Sequence, residues 1–409
     1  MEIEKLFQGP GLVIDDKVYE NSGDSIVRIV DFLESKGIPL AKYNTIQDFK
    51  GENCRKFSFV LLDWELVSIE DSDGNPIQGA EEASKTVKED LIKLLKEVLN
   101  TCYIPIFIFS NVYPKNIEKE LRKAGIEAKD PSVPILIKHK SDLITDKGVL
   151  VLDKIREWVD KMPSIYVLKE WENAVDNAKT DTFKSLANTH SWPSIMWNAA
   201  HEDHVNESEE MFDLISQNVF GRMWRVSIEK EQLDKDDIEK PNTDDLLNVL
   251  SIQRFDNRVN RDVSTTGDFY KIGSKYYVNV RPACDCVIRG DDTNVYLIQA
   301  QPITRTSAKN NFLTEFGTFS EKNNEAIIGP LYNKKFFQFF FHSTYIYEYE
   351  TIKESKIGRI LPPFIRHITE RYGLYIQRES LPRIPIEAVY STDEIPSSPD
   401  TKDNQDEPG

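Results

Sequence analysis

Four short apolar runs in the first third of the chain end in residues that can do chemistry. GLVI is followed by Asp15-Asp16, FSFVLL by Asp63, IPIFIF by Ser110 and VPILI by Lys138. Taken singly, each is an ordinary solvated strand end. Brought to one rim, three carboxylates repel one another, and a divalent cation among them relieves that repulsion. Mg²⁺ takes oxygen ligands, commonly one or two carboxylates together with phosphate and water. A carboxylate can also act as a nucleophile toward phosphorus and carry the group as an aspartyl phosphate. A phosphoryl group in transfer spreads negative charge over its oxygens, which a lysine ammonium and a serine hydroxyl stabilise. Asp, Asp, Asp, Ser and Lys are a sufficient set for that reaction.

The elements that must position them follow from two alternating periods. The apolar runs read as strands buried on both faces, as in a parallel sheet. Between them lie stripes of helical period. Ile26, Ile29, Val30 and Leu33 form the first, closed by Gly37. Leu91, Leu94, Leu95 and Val98 form the second. Ile117, Leu121 and Ala124 form the third, closed by Gly125, and Leu152, Ile155 and Val159 the fourth. PLAKYNT, from Pro39, is a weaker strand, and strict alternation requires a helix near residues 45–50 after it. This order predicts a doubly wound parallel α/β sheet, with ligands beyond the carboxyl ends of its strands. The acidic segment ELVSIEDSDGNPIQGAEEASKT reads as an insertion over residues 65–86.

Residues 11 to about 160 resemble the receiver domain of two-component response regulators. In that family an acid pair closes strand one, the phosphoacceptor Asp closes strand three, Ser or Thr closes strand four and Lys closes strand five. The resemblance implies a flavodoxin-like fold, with Asp15 and Asp16 as Mg²⁺ ligands and Asp63 as both phosphoacceptor and metal ligand. It implies that Glu65 offers its backbone carbonyl to the metal, and that Ser110 and Lys138 contact the phosphoryl oxygens. It also implies a histidine kinase as partner. Asn111, His139 and Leu136 depart from the Ala or Gly, the Pro and the aromatic residue usual at their positions.

Past Pro163 the pattern changes. Residues 164 to about 217 read as helical, with Trp171, Trp192 and Trp197. From Thr265 the chain is rich in strands: DFYKIGSKYYVNV reads as a hairpin joined at Gly273-Ser274, and KFFQFFFHSTYIYEYETI as an aromatic-dense strand or two. RILPPFIRHITERYGLYIQR reads as a helix with proline at its start. The expected organisation is a receiver domain over 1–163, an α+β module over 164–390 and an acidic disordered tail over 391–409. HSWPSIMWNAAHEDHV, YYVNVRPACDCV and RILPPFIRHITERYGLYI faintly resemble the companion region of large receiver proteins in Detocs-type phage-defence systems. That resemblance implies a place in antiviral defence and carries no residue-level activity.

Composition narrows the classes. The chain has 409 residues, 40% hydrophobic and 11% aromatic, enough for a packed core. A net charge of −17 argues against a nucleic-acid-binding surface, which needs clustered Lys and Arg. No apolar run approaches the ~20 residues of a membrane span, and four scattered cysteines do not make a disulfide framework. A cytoplasmic protein, with no nucleic acid and no membrane, is the expectation. LFQGP, Leu6 to Pro10, matches the cleavage site of a protease used to remove purification tags and receives no functional weight. His201, His204, Cys284 and Cys286 are a zinc candidate weakened by the single-residue Cys spacer. His190 and His367 lack the four-helix pattern of a phosphotransfer domain.

The functional expectation is a response-regulator-type protein that accepts a phosphoryl group on Asp63. It would act by protein–protein contact with a downstream effector, as a homodimer, or as a phosphorelay buffer. The alternatives are a phosphorylation-gated effector enzyme with its site in residues 165–390, and a pseudo-receiver scaffold.

Overall fold

The computed structural model describes residues 3–20, 23–46, 49–66, 80–130, 132–145, 148–203, 206–225, 227–228, 233, 242–288, 293–320, 322–378, 384–385 and 388. The chain divides into two compact units, 1–241 and 242–409. The change of pattern at residue 163 therefore falls inside the first unit, where it marks a change of element type.

The first unit opens with helix α1 (Ile3–Leu6) and strand β1 (Gly11–Ile14). Helix α2 (Ser25–Ser35) leads to β2 (Leu40–Tyr43), and β3 is Phe59–Leu62. Helix α3 (Ala80–Thr101), β4 (Ile106–Ser110), α4 (Pro114–Lys123), β5 (Ile135–His139) and α5 (Val151–Val159) follow. The five strands are all parallel, in the order β2-β1-β3-β4-β5. The flavodoxin-like α/β fold expected for this half is the fold observed.

Both faces of the sheet are covered, which is why its strands are apolar at successive positions. Val13, Leu61, Phe107, Phe109 and Leu136 face one way and pack on α2 and α5. Leu12, Ile14, Val60, Leu62, Ile106 and Ile108 face the other and pack on α3 and α4. Asp24 caps α2 by accepting the Ile26 N–H at 3.1 Å. The helix closes at Gly37, whose φ of +80° suits a residue without Cβ, with the Ile38 N–H returned to the Leu33 carbonyl. Burying Ile26, Ile29, Val30 and Leu33 stabilises this docking by about 1.5–3 kcal/mol per side chain.

Two expectations change here. The helix expected near residues 45–50 is a 3₁₀ stretch, Gly51–Lys56; residues 47–48 lie outside the described set. Gly51 lies so close to α3 that a Cβ would meet the Glu97 side chain at 2.7 Å. Of the insertion at 65–86, residues 67–79 lie outside the described set, and 80–86 are the first turns of α3 rather than loop. The LFQGP segment enters the core at its first two residues, while Gln8, Gly9 and Pro10 are exposed. Leu6 and Phe7 are buried, and Phe7 sets its ring edge against Phe59 at 5.8 Å and Phe107 at 5.9 Å.

After β5 a short hairpin, β6 (Ile144–Thr145) and β7 (Gly148–Val149), precedes α5. Three helices follow: α6 (Pro163–Ala187), α7 (Trp192–Glu202) and α8 (Glu207–Arg222). Asn173 on α6 donates to the backbone carbonyls of Lys5 and Leu6, fastening the N-terminal segment. These helices leave Trp171, Trp197, Phe212 and Phe220 exposed.

The second unit begins with α9 (Thr243–Arg254) and β8 (Phe255–Asp256). The hairpin β9 (Asp268–Ile272) and β10 (Lys275–Asn279) is followed by β11 (Asn294–Ile303) and α10 (Arg305–Asn310). Then come β12 (Phe312–Leu313), β13 (Thr318–Phe319), β14 (Glu325–Ile328) and β15 (Phe336–Glu348). Helix α11 (Tyr349–Ile352), β16 (Lys356–Ile360) and α12 (Phe364–Ile376) close the unit. Seven strands form one antiparallel sheet, β14-β15-β11-β10-β9-β16-β8. The aromatic run is a single strand whose register shifts opposite Ile298 and Gln299. Its alternate residues Phe337, Phe339 and Phe341 are buried in the core beneath α12. The proposed C-terminal helix starts at Phe364, because Arg359 and Ile360 are taken up by β16. The 391–409 tail lies outside the described residues.

Candidate phosphoacceptor and metal site

The strand order reverses at β1, which has β2 on one side and β3 on the other. Crevices at such a switch point, beyond the carboxyl ends of the strands, are where open α/β sheets bind ligands. Asp15 and Asp16 follow β1 there, and Asp63 follows β3. The Asp63 N–H is tied to the Ile14 carbonyl at 2.9 Å, so backbone pairing sets the two acid-bearing ends side by side. Carboxylate oxygens of Asp15, Asp16 and Asp63 all lie within 4.8 Å of one another.

The fourth charge in the site is a lysine. Lys140 Nζ donates to Asp15 Oδ2 at 2.8 Å and to Asp63 Oδ2 at 2.7 Å. Lys140 is 1% exposed, Asp15 0% and Asp63 4%, so the pairings are shielded from water. Asp15 Oδ1 accepts the Lys17 N–H at 2.9 Å, and Asp63 Oδ1 accepts the Glu65 N–H at 3.2 Å. Ser110, fully buried at the end of β4, accepts the Val112 N–H on Oγ at 3.3 Å.

Sequence reasoning placed Lys138 in this role, and the structure puts Lys140 there instead. The register pairs Ser110 with His139, so β5 runs two residues beyond its apolar run and the rim falls at Lys140. Lys138 is half-buried one strand position after Ile137 and interacts with Glu157 on α5. The signal was present in IKHK, which holds two lysines; matching the length of β5 to β4 selects the second. Asp15, Asp16 and Asp63 are brought together as expected, with Ser110 on the same rim. Glu65 sits beside them through its backbone N–H.

One ammonium for three carboxylates leaves the cluster net anionic in a dry place. Burial pushes the Asp15 carboxyl up to about 6, with Asp63 adding repulsion and Lys140 pulling back part of the shift. Asp16 is raised for the same two reasons, desolvation and then Asp63. Burial alone would lower Lys140, but its two carboxylate partners outweigh that and hold its ammonium above the ordinary lysine value. Asp16 Oδ1 is buried and has no hydrogen-bond partner. An orphaned, buried carboxylate oxygen beside two more carboxylates suits a hard divalent cation with oxygen ligands, so the residues fit Mg²⁺.

His139 supports the rim. Its Nε2 lies 2.8 Å from the Asn111 carbonyl and its ring stacks on Tyr113 at 5.3 Å. A carbonyl only accepts, so Nε2 carries the hydrogen, and Nδ1 accepts the Ser141 N–H at 3.2 Å. The imidazole thus clips the loop after β4 to the end of β5.

His201 pairs with Glu207 at 3.0 Å and stacks on Trp197, and His204 lies outside the described residues. Cys286 is buried beside the Asn279 amide at 3.3 Å, while Cys284 is exposed. His190 is an exposed turn residue between α6 and α7, and His367 lies on α12. Among the described residues no helix is long and apolar enough to cross a membrane. No family model matches the chain, and no curated protein matches it.

Proposed function

We propose that residues 1–163, within the first unit, are a response-regulator-type receiver that accepts a phosphoryl group on Asp63 from a histidine kinase. The observation that carries this reading is the contact of one buried lysine, Lys140, with both Asp63 and Asp15 inside a cluster of three carboxylates at the switch point. Asp15, Asp16 and Asp63 would hold Mg²⁺, with the Glu65 carbonyl as a further ligand. When bound, Mg²⁺ would offset the negative charge of the phosphoryl oxygens.

The chain's own residues then have defined tasks. An Asp63 carboxylate oxygen attacks phosphorus, and the phosphorus–nitrogen bond of the donor phosphohistidine breaks. The imidazole leaves with the bonding pair, and an acyl phosphate remains on Asp63. Lys140 exchanges its Asp63 carboxylate contact for a phosphoryl oxygen, which places its charge where the new charge develops. The Ser110 hydroxyl supplies a hydrogen bond from β4. Water later breaks the acyl phosphate and restores the carboxylate.

The phosphoryl group shifts a two-state equilibrium at this rim. The exposed Trp171, Trp197, Phe212 and Phe220 on α6–α8 favour an output by protein–protein contact, including a homodimer, over a DNA-binding output. Service as a phosphorelay buffer in a phage-defence system is the same chemistry with a different consumer. Incubation with Mg²⁺ and acetyl phosphate, followed by intact-mass measurement, tests the reading. One added phosphoryl mass, absent in Asp63→Ala, is expected. No adduct from either acetyl phosphate or a cognate kinase would leave the domain a scaffold.

A further inference from the structure

We propose that the second unit carries a small-molecule site for a flat, apolar compound with one anionic head, a carboxylate or a phosphate, held by Arg254. This goes beyond the phosphoacceptor reading and stands independently of it. The site is a cavity of about 680 Å³ between the ends of α9 and α12 and the strands β12–β14. That volume lies within the range of ligand pockets, which are mostly apolar with a few convergent polar groups. Phe312, Phe319, Phe336 and Phe364 supply aromatic wall.

Arg254 is the informative residue. Its guanidinium carbon lies 4.5 Å from the centre of the Phe364 ring, a cation–π contact that holds the head against the cavity wall. Nη1 donates to the Leu250 carbonyl at 3.0 Å and to Gln253 Oε1 at 2.7 Å. Both acceptors are neutral, and among the described residues no carboxylate pairs with Arg254. Partial burial without a counter-charge lowers its pKa, by desolvation alone. The acid that shares the cavity wall, Glu325, is already engaged by Lys322 at 2.6 Å and by the Gln338 amide. Arg371, on the same wall, is already engaged and donates to the Lys322 carbonyl at 2.8 Å. A half-buried guanidinium packed on a ring and short of an anion selects an oxyanion that offers two oxygens to its forked donors, as carboxylate and phosphate do. The aromatic wall selects a flat body behind that head.

The test uses the full chain and two fluorescent probes that differ in one charge. 8-Anilinonaphthalene-1-sulfonate carries the aromatic body with an anion, and N-phenyl-1-naphthylamine carries the body alone. Arg254→Gln is expected to weaken the sulfonate probe about tenfold, the loss of one charge-assisted contact, and to leave the neutral probe within about twofold. Thr318→Trp, which fills the cavity from an exposed position on its rim, is expected to weaken both. Displacement by phenylacetate or by phenyl phosphate then tells a carboxylate head from a phosphate head. Equal binding of the sulfonate probe to wild type, Arg254→Gln and Thr318→Trp would overturn the proposal. So would equal loss of both probes in an Arg254→Gln protein with an unchanged melting curve. If Arg254→Gln does not fold, unchanged sulfonate binding to Thr318→Trp overturns it alone.

Discussion

Lys140 Nζ stands 2.7 Å from Asp63 Oδ2, although the two residues are 77 positions apart and the nearer strand-end lysine is Lys138. The contact makes the lysines separable by experiment. Lys140→Met is expected to slow phosphoryl accumulation on Asp63 by roughly 10²-fold, the scale of removing one preorganised charge-stabilising donor. Lys138→Met should stay close to wild type. The readout is the rate of mass gain with acetyl phosphate and Mg²⁺, and equal losses in both variants would return the role to neither.

Asp15 gives a pH dependence with a definite sign. Its folded carboxyl sits at about 6, above the ordinary value of 3.8, so the folded state holds the proton more tightly. Stability from this group is therefore greatest at acid pH and is lost as pH rises from about 4 to about 6. Without metal, Asp15→Asn is expected to melt at or above the wild-type temperature at pH 7.5, and below that advantage at pH 4. Mg²⁺ should raise the wild-type melting temperature more at pH 7.5 than at pH 5 and have little effect on Asp15→Asn. A wild-type protein that gains stability between pH 4 and pH 6 relative to Asp15→Asn, with no metal present, would contradict the assignment.

Phe7 predicts that the N-terminal segment is structural. It is 3% exposed and sets its edge on Phe59 and Phe107, so Phe7→Ala opens a cavity in the core. A loss of about 3–5 kcal/mol is expected by urea unfolding. Gln8→Ala, at an exposed neighbour, should be within about 0.5 kcal/mol of wild type.

In the second unit, Asp268 is fully buried and holds Lys356 at 2.8 Å and Arg359 at 2.9 Å. Asp268→Ala leaves the buried Lys356 ammonium without its carboxylate and removes the partner of the partly exposed Arg359. A loss of about 3–5 kcal/mol is expected, as for other broken buried pairs. The double variant Asp268→Ala with Lys356→Met should recover part of it. A denaturation series with wild type, both single variants and the double variant checks the recovery, and strictly additive losses would show that the pair is not coupled.

The sequence by itself determined the sheet, the helices of strong period and the three acids. Parallel strands buried on both faces read as unbroken apolar runs, and a site at their carboxyl ends is occupied by whatever residue comes next; Asp15, Asp16, Asp63 and Ser110 were legible for that reason. The tertiary structure decided what depends on register and distant packing. Which lysine reaches the acids turned on where β5 stops against β4, a pairing between residues far apart in sequence. The segment after β2 is a 3₁₀ stretch in which Gly51 lies against Glu97 of α3, and no local pattern records that approach. The burial of Phe7 needed aromatic partners from β3 and β4. The cavity at Arg254 gathers α9, β14 and α12, whose residues become neighbours only when the second sheet is complete.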